Sequence, residues 1–219
     1  MAFAKTTRHM FVIAFVGLTI ARLVIDCQSE AIAGASDDLH FSVSAFDRTL
    51  GNPKAHITLI EYGAPSCPVC ARFNEVVFPL IKERYIDTGK VRYVFRVFPL
   101  RVEDGEVEKL ARCMPKNKYF GFMDILFRNQ VKWDPEFNVN DPRPVLLTLA
   151  ESLGLPDSEG ANCIDDTSLD KTINAIAGEA RSKYGVVGTP TFVINGAAQS
   201  SGFRSYEALS ALLDAELKK

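Results

Sequence analysis

The chain has 219 residues, 47% of them hydrophobic, and a formal net charge of −2. That is long and apolar enough for a continuous core that does not depend on disulfides to fold. Acidic and basic residues are interspersed, with no block of like charge of the kind that attracts nucleic acid, so that class of partner is excluded.

At the N-terminus Lys5 and Arg8 precede an apolar run over 10–21, and the small residues Ala31, Ala33 and Gly34 follow. This reads as an export signal over 1–33, cleaved after Ala33. The run is short of the roughly 20 apolar residues that span a bilayer. Arg22 and Asp26 bracket a second apolar patch, however, so an uncleaved membrane anchor is the alternative. Cys27 lacks the small residues expected just before a lipoprotein cleavage site. Without the leader, the five cysteines reduce to Cys67, Cys70, Cys113 and Cys163.

Residues 34–38 form a flexible start, 39–50 a short edge strand, and Gly51-Asn52-Pro53 a turn. A strand over 55–62 follows, with Ile57, Leu59 and Glu61 on one face and Thr58, Ile60 and Tyr62 on the other. Periodicity alone leaves Glu61 either buried or exposed at the strand end. A helix runs to about Ile86, kinked or split by Pro79, then a turn over 87–90 and a strand over 91–97. Strand, helix and strand at this spacing make a right-handed crossover, so the two strands lie parallel.

From 102 to 184 helical periodicity takes over, with helices expected at 106–114, 119–131, 144–153 and 167–184. Pro115, Pro135, Pro142 and Pro156 punctuate them. Phe120, Phe122, Met123, Phe127 and Trp133 are read as core, the usual place for an aromatic stripe, with a peptide groove as the alternative. A strand over 191–194 leads into Asn195-Gly196, the strongest hairpin signal in the chain. A return strand over 197–203 and a closing helix over 206–217 complete an α/β domain. Its two parts, 34–101 and 185–219, flank an all-helical insertion at 102–184.

Cys67-Pro68-Val69-Cys70 lies where the first long strand turns into its helix. Proline at the first helical position costs no hydrogen bond, which leaves Cys67 at the cap with unpaired backbone donors near its sulfur. A helix N-terminus carries roughly half a positive charge and lowers the pKa of such a cysteine. Cys67 is thus the attacking thiol and Cys70 the resolving one. A c-type haem site needs histidine where Ala71 stands. A zinc ribbon needs a second ligand pair, but Cys113 and Cys163 are isolated and His9, His40 and His56 scattered, so no metal site is expected. A structural disulfide stays open as the rival to redox chemistry. If Cys67 and Cys70 are a unit, Cys113 and Cys163 pair with each other, or else are two buried thiols.

Glu61-Tyr62, Cys67-Pro68-Val69-Cys70, the helical insertion and Gly188-Thr189-Pro190-Thr191-Phe192 together resemble the DsbA-like thiol:disulfide oxidoreductases of the thioredoxin superfamily. The resemblance covers nearly all of the chain after its leader. It implies a thioredoxin fold with a large all-helical insertion and a cis Pro190 beside the reactive thiol. It also implies a substrate strand received at the backbone of Thr189, with Pro68 and Val69 flanking it, and a buried Glu61 that takes the proton of Cys70. No cofactor is implied beyond the Cys67–Cys70 disulfide. The expected partners are cysteine-containing exported polypeptides and a membrane quinone reductase of the DsbB type. The setting implied is the bacterial periplasm, with the protein a monomer, soluble or tethered by its N-terminal segment. Strongly oxidising members carry Pro-His between the cysteines, so Pro-Val implies a less oxidising disulfide. Thr189 is more like isomerases, whose dimeric forms carry a separate N-terminal domain for which the segment before Gly51 is too short.

Overall fold

The computed structural model describes residues 43–202 and 204–219. The expected leader over 1–33, Cys27 and the flexible start at 34–38 lie outside the described residues.

A five-stranded mixed sheet carries the fold, in the order β1-β3-β2-β4-β5. The strands are β1 (Arg48–Leu50), β2 (Ile57–Gly63), β3 (Val91–Val97), β4 (Thr191–Ile194) and β5 (Ala197–Ala198). β2 and β3 are parallel, as the crossover requires, with Ile57 opposite Val91 and Gly63 opposite Val97. β1 joins β3, and β4 joins β2, both antiparallel. Gly51, just after β1, has φ +87°, and a Cβ there would come within 2.4 Å of the Val91 carbonyl. Only glycine fits that turn.

The two faces of β2 divide as alternation demands. Ile57 and Leu59 enter the larger core cluster, while Ile60 and Tyr62 enter a smaller one with Val94, Phe98, Ala177 and Ala180. The crossover helix is α1 (Pro68–Val76), then α2 (Phe78–Ile81), then a π-helical turn at Lys82–Ile86. It breaks at Val77 because Pro79 has no N–H to continue the ladder. The closing helix α9 (Tyr206–Glu216) is capped by Ser205, whose hydroxyl accepts the Ala208 N–H.

The insertion has more helices than periodicity indicates: α3 (Val102–Cys113), α4 (Tyr119–Arg128), α5 (Gln130–Trp133), α6 (Arg143–Glu151), α7 (Asp157–Asp165) and α8 (Asp170–Tyr184). The expected 119–131 helix divides at Asn129, and α8 starts later than expected. α7 is unanticipated, since Asp157, Ser158, Gly160 and Asn162 all disfavour a helix. It forms through its packing, with Gly160 close against Leu147 and Leu110. Cys113 and Cys163 form a disulfide between α3 and α7.

Asn195 and Gly196 take φ of 44° and 84°, the left-handed pair of a two-residue hairpin. The expected return strand at 197–203 shrinks to Ala197–Ala198. Beyond it Ser200, Ser201 and Gly202 are poor strand formers, although Gln199 and Gly202 still donate to the carbonyls of Phe192 and Pro190. Phe203 lies outside the described residues.

Candidate active site

β2 and β3 end level with each other, and Phe98 donates its N–H to the Gly63 carbonyl at 2.8 Å. Residues 64–67 then make a tight turn in which the Cys67 N–H reaches the Ala64 carbonyl at 3.0 Å. Cys67 is the N-cap of α1, with extended backbone (φ −80°, ψ 116°) and Pro68 as the first helical residue. Its carbonyl accepts the Ala71 N–H at 3.0 Å, closing the first turn. Pro68 and Val69 are exposed and flank the cysteine at the surface. Cys67 keeps 7% of its surface and Cys70 none. Both are free thiols.

The Thr189–Pro190 peptide is cis, and the Cys67 thiol donates to the Thr189 carbonyl at 3.5 Å. Pro190 is buried. The loop is held by Thr191, whose hydroxyl donates to the Gly188 carbonyl at 2.7 Å, and by Gly202, whose N–H reaches the Pro190 carbonyl at 2.8 Å. β4 is also locked to α1, because the Phe192 and Phe73 rings lie 4.8 Å apart.

Three groups at this site titrate far from one another. The Cys67 thiol falls from 9.0 to about 6, chiefly through a hydrogen bond from Cys70. The Thr189 side chain and the N–H groups of Cys70 and Val69 add to this, against the cost of burial. The Thr189 hydroxyl is buried without a hydrogen-bond partner. Burial pushes the Cys70 thiol well above 9.0. Glu61 rises from 4.5 to about 8, first because it is buried, with the Cys67 charge adding to the rise. The Tyr93 hydroxyl, donating to Glu61 Oε2 at 2.6 Å, offsets part of it. At neutral pH the site therefore holds one negative charge, on Cys67.

Glu61, undecided by periodicity, is 2% exposed, on central strand β2 between Phe95 and Phe192. A Cβ on Gly63 would lie 2.6 Å from the Phe95 ring and 3.1 Å from Glu61 Oε1, so glycine is what lets ring and carboxyl pack there. The fold thus gathers Cys67, Cys70, Pro68, Val69, Thr189, Pro190 and Glu61, and leaves Cys113 and Cys163 in the insertion. Of the aromatic stripe, Phe122 and Trp133 are fully buried core. Phe120, Met123 and Phe127 wall an apolar cavity of about 290 Å³ together with Phe78, Tyr93 and Phe95. Sequence reasoning missed Tyr93, whose place on an alternating strand marks it as inward-facing but cannot reveal the partner of its hydroxyl.

The chain matches the family model described as Thioredoxin over residues 44–215. The chain belongs to the DsbA-like branch of the thioredoxin superfamily. Among DsbA-like proteins, its structure resembles the crystal structure of Wolbachia pipientis alpha-DsbA1 with a TM-score of 0.75 and 30% identity, covering 84% of this chain and 96% of that one. It is 32% identical over 180 residues to a Rickettsia felis protein named a protein-disulfide oxidoreductase, covering 82% of this chain and 63% of that protein's length. It is 28% identical over 178 residues to a Bacillus cereus protein named disulfide bond formation protein D, covering 78% of this chain and 79% of the relative. DsbA-like architecture accounts for the helical insertion, α3 to α8, between the two parts of the thioredoxin fold. Among the described residues no helix is long and apolar enough to cross a membrane.

Proposed function

We propose that the protein is a thiol:disulfide oxidoreductase that works as an oxidase, introducing disulfides into exported polypeptides. The observation that carries this is the Cys67 thiol, lowered to about 6 at a helix N-terminus, 3.5 Å from the backbone carbonyl of Thr189. A sulfur stabilised as an anion is a good leaving group, and stabilising the reduced pair makes the disulfide more oxidising. The redox centre is the Cys67–Cys70 disulfide itself.

In the forward direction a substrate thiolate attacks Cys67 Sγ and breaks the bond to Cys70. Cys70 leaves with the electron pair and takes a proton from Glu61, whose high pKa keeps one there. A second substrate thiolate then attacks the substrate sulfur of the mixed disulfide, forming the substrate's disulfide and expelling Cys67 as its stable thiolate. Two electrons pass from the substrate dithiol to the enzyme. In the reverse step Cys70 attacks the mixed disulfide and Glu61 must accept its proton. Cys67 carries no charge in that intermediate, so the repulsion that adds to the effect of burial on Glu61 is absent when a base is needed. The open backbone of Thr189, beside a sulfur flanked by exposed Pro68 and Val69, suits an extended polypeptide added as a strand.

This reading places the protein in the bacterial periplasm as a monomer, soluble or tethered by its N-terminal segment, and reoxidised by a membrane quinone reductase of the DsbB type. The test is the equilibrium potential of the 67–70 pair against glutathione. A value above about −200 mV is expected of an oxidase, while one near the thioredoxin value of about −270 mV would make it a reductase. Val69 supplies no donor side chain, so the potential should fall short of about −120 mV, the strongly oxidising extreme.

A further inference from the structure

We propose that Asp104 and Gln130 are positioning residues for the reactive thiol: side chains of the helical insertion that grip the two residues before Cys67 and so set where its sulfur sits. The proposal rests on the reading of Cys67 as the nucleophile.

Asp104 is fully buried near the start of α3. Its Oδ1 accepts the Ser66 N–H at 2.7 Å, and its Oδ2 accepts the Ser66 hydroxyl at 2.9 Å. The same Oδ2 accepts the N–H groups of Leu100 and Arg101 at 2.9 and 3.0 Å. The carboxylate thus accepts four donors, one at Oδ1 and three at Oδ2. One side chain therefore ties the cysteine loop to the loop that follows β3. From α5, the amide of Gln130, itself only 5% exposed, donates to the Pro65 carbonyl at 2.8 Å. Both side chains hold the backbone that leads into Cys67, on the N-terminal side of its own turn to Ala64 and of its bond to Ala71 in α1.

The sulfur sits at the start of α1, where the N–H groups of Val69 and Cys70 favour its anion, and lies 3.5 Å from the Thr189 carbonyl. Those contacts depend on the torsions that lead into Cys67. Hydrogen bonds to a charged group fall off steeply with misalignment, so a loop free to rotate by a few tens of degrees would lose them. The insertion thereby acts on the chemistry through backbone, without touching either sulfur. Asparagine at 104 would turn an amide N–H towards donors, and leucine at 130 would leave the Pro65 carbonyl without its partner.

The test compares the pH profile of Cys67 alkylation, with the thiolate ultraviolet absorbance as a second readout, in the reduced full chain and its Asp104→Asn, Gln130→Leu and Ser66→Ala variants. Ile164→Ala, a core truncation in α7, serves as a control of comparable destabilisation. The expected result is an alkylation rate at pH 5.5 about tenfold lower in Asp104→Asn, the loss that a one-unit rise in thiol pKa produces, with smaller losses in the other two. Ile164→Ala should keep the wild-type profile. Should Asp104→Asn fail to fold, the Gln130 and Ser66 variants decide by the same criterion. Folded variants that are less stable yet keep the wild-type profile overturn the proposal alone. A wild-type protein with no thiolate at low pH overturns the nucleophile reading and this one together.

Discussion

Cys67, Cys70 and Glu61 are three acids, and the fold makes a thiol, intrinsically a weaker acid than the carboxyl, the first to ionise. Cys67 titrates at about 6, Glu61 at about 8 and Cys70 far above, because hydrogen bonds favour one anion and burial disfavours the other two. Glu61→Gln keeps an acceptor for the Tyr93 hydroxyl but cannot move a proton. It should leave Cys67 alkylation intact while slowing the steps in which Cys70 leaves or attacks by about 10²-fold, the scale of general acid–base catalysis, measured by stopped-flow reduction. The same variant has a stability signature. A carboxyl whose pKa is raised on folding favours the fold fully below 4.5, and that contribution is lost as pH rises through about 8. Relative to wild type, Glu61→Gln should therefore gain stability as pH is raised from 4.5 towards 8, by a few kcal/mol in urea unfolding.

α3 is the element that connects most of the molecule. Asp104, near its first turn, holds the cysteine loop, and Glu108, buried one turn on, accepts from the Tyr119 hydroxyl at 2.6 Å and pairs with Arg112. Cys113 at its end is bridged to Cys163 on α7, 50 residues away. α7 has little helix propensity of its own, so the bridge and the packing of Gly160 are what retain it. Replacing both cysteines by alanine releases a loop of that length in the unfolded chain and should cost on the order of 4 kcal/mol in chemical denaturation. The cost should appear in oxidised and reduced active-site forms alike, because the bridge is separate from the 67–70 pair.

For the whole molecule, the sheet separates two environments. One face carries Glu61 and the large core, and the other carries Tyr62 and an ion pair. Arg96 donates to both oxygens of Asp47 at 2.9 Å and to the Tyr62 hydroxyl at 3.0 Å, with the Asp47 and Arg96 side chains only 2% and 7% exposed. Burial raises the Asp47 pKa, and the Arg96 guanidinium together with the Ser44 donors more than reverses that. Asp47→Ala removes a bidentate, buried partner of the guanidinium and should destabilise the fold by about 3 kcal/mol. The loss should shrink as pH falls below 3.8, where the unfolded chain takes up a proton that the native carboxylate, with its lowered pKa, does not yet hold. Cys67 alkylation should be unchanged, since the sheet lies between the two sites.

The amino-acid sequence determined whatever rests on short-range physics. Alternation put Ile57 and Leu59 on one face of β2 and Ile60 and Tyr62 on the other. Proline chemistry set Pro68 at the start of α1 and broke the crossover helix near Pro79, and Asn195-Gly196 made the hairpin. The cysteine motif, read with the distant Thr189-Pro190, was enough to point to the chemistry. Tertiary structure alone decided whether Glu61 is buried, that Tyr93 is its partner, that α7 is helical, and that Asp104 and Gln130 reach back to Ser66 and Pro65. Each of those depends on groups far apart in the chain meeting in a low-dielectric interior. There the cost of leaving a polar atom unpaired, rather than any local preference, selects the partner.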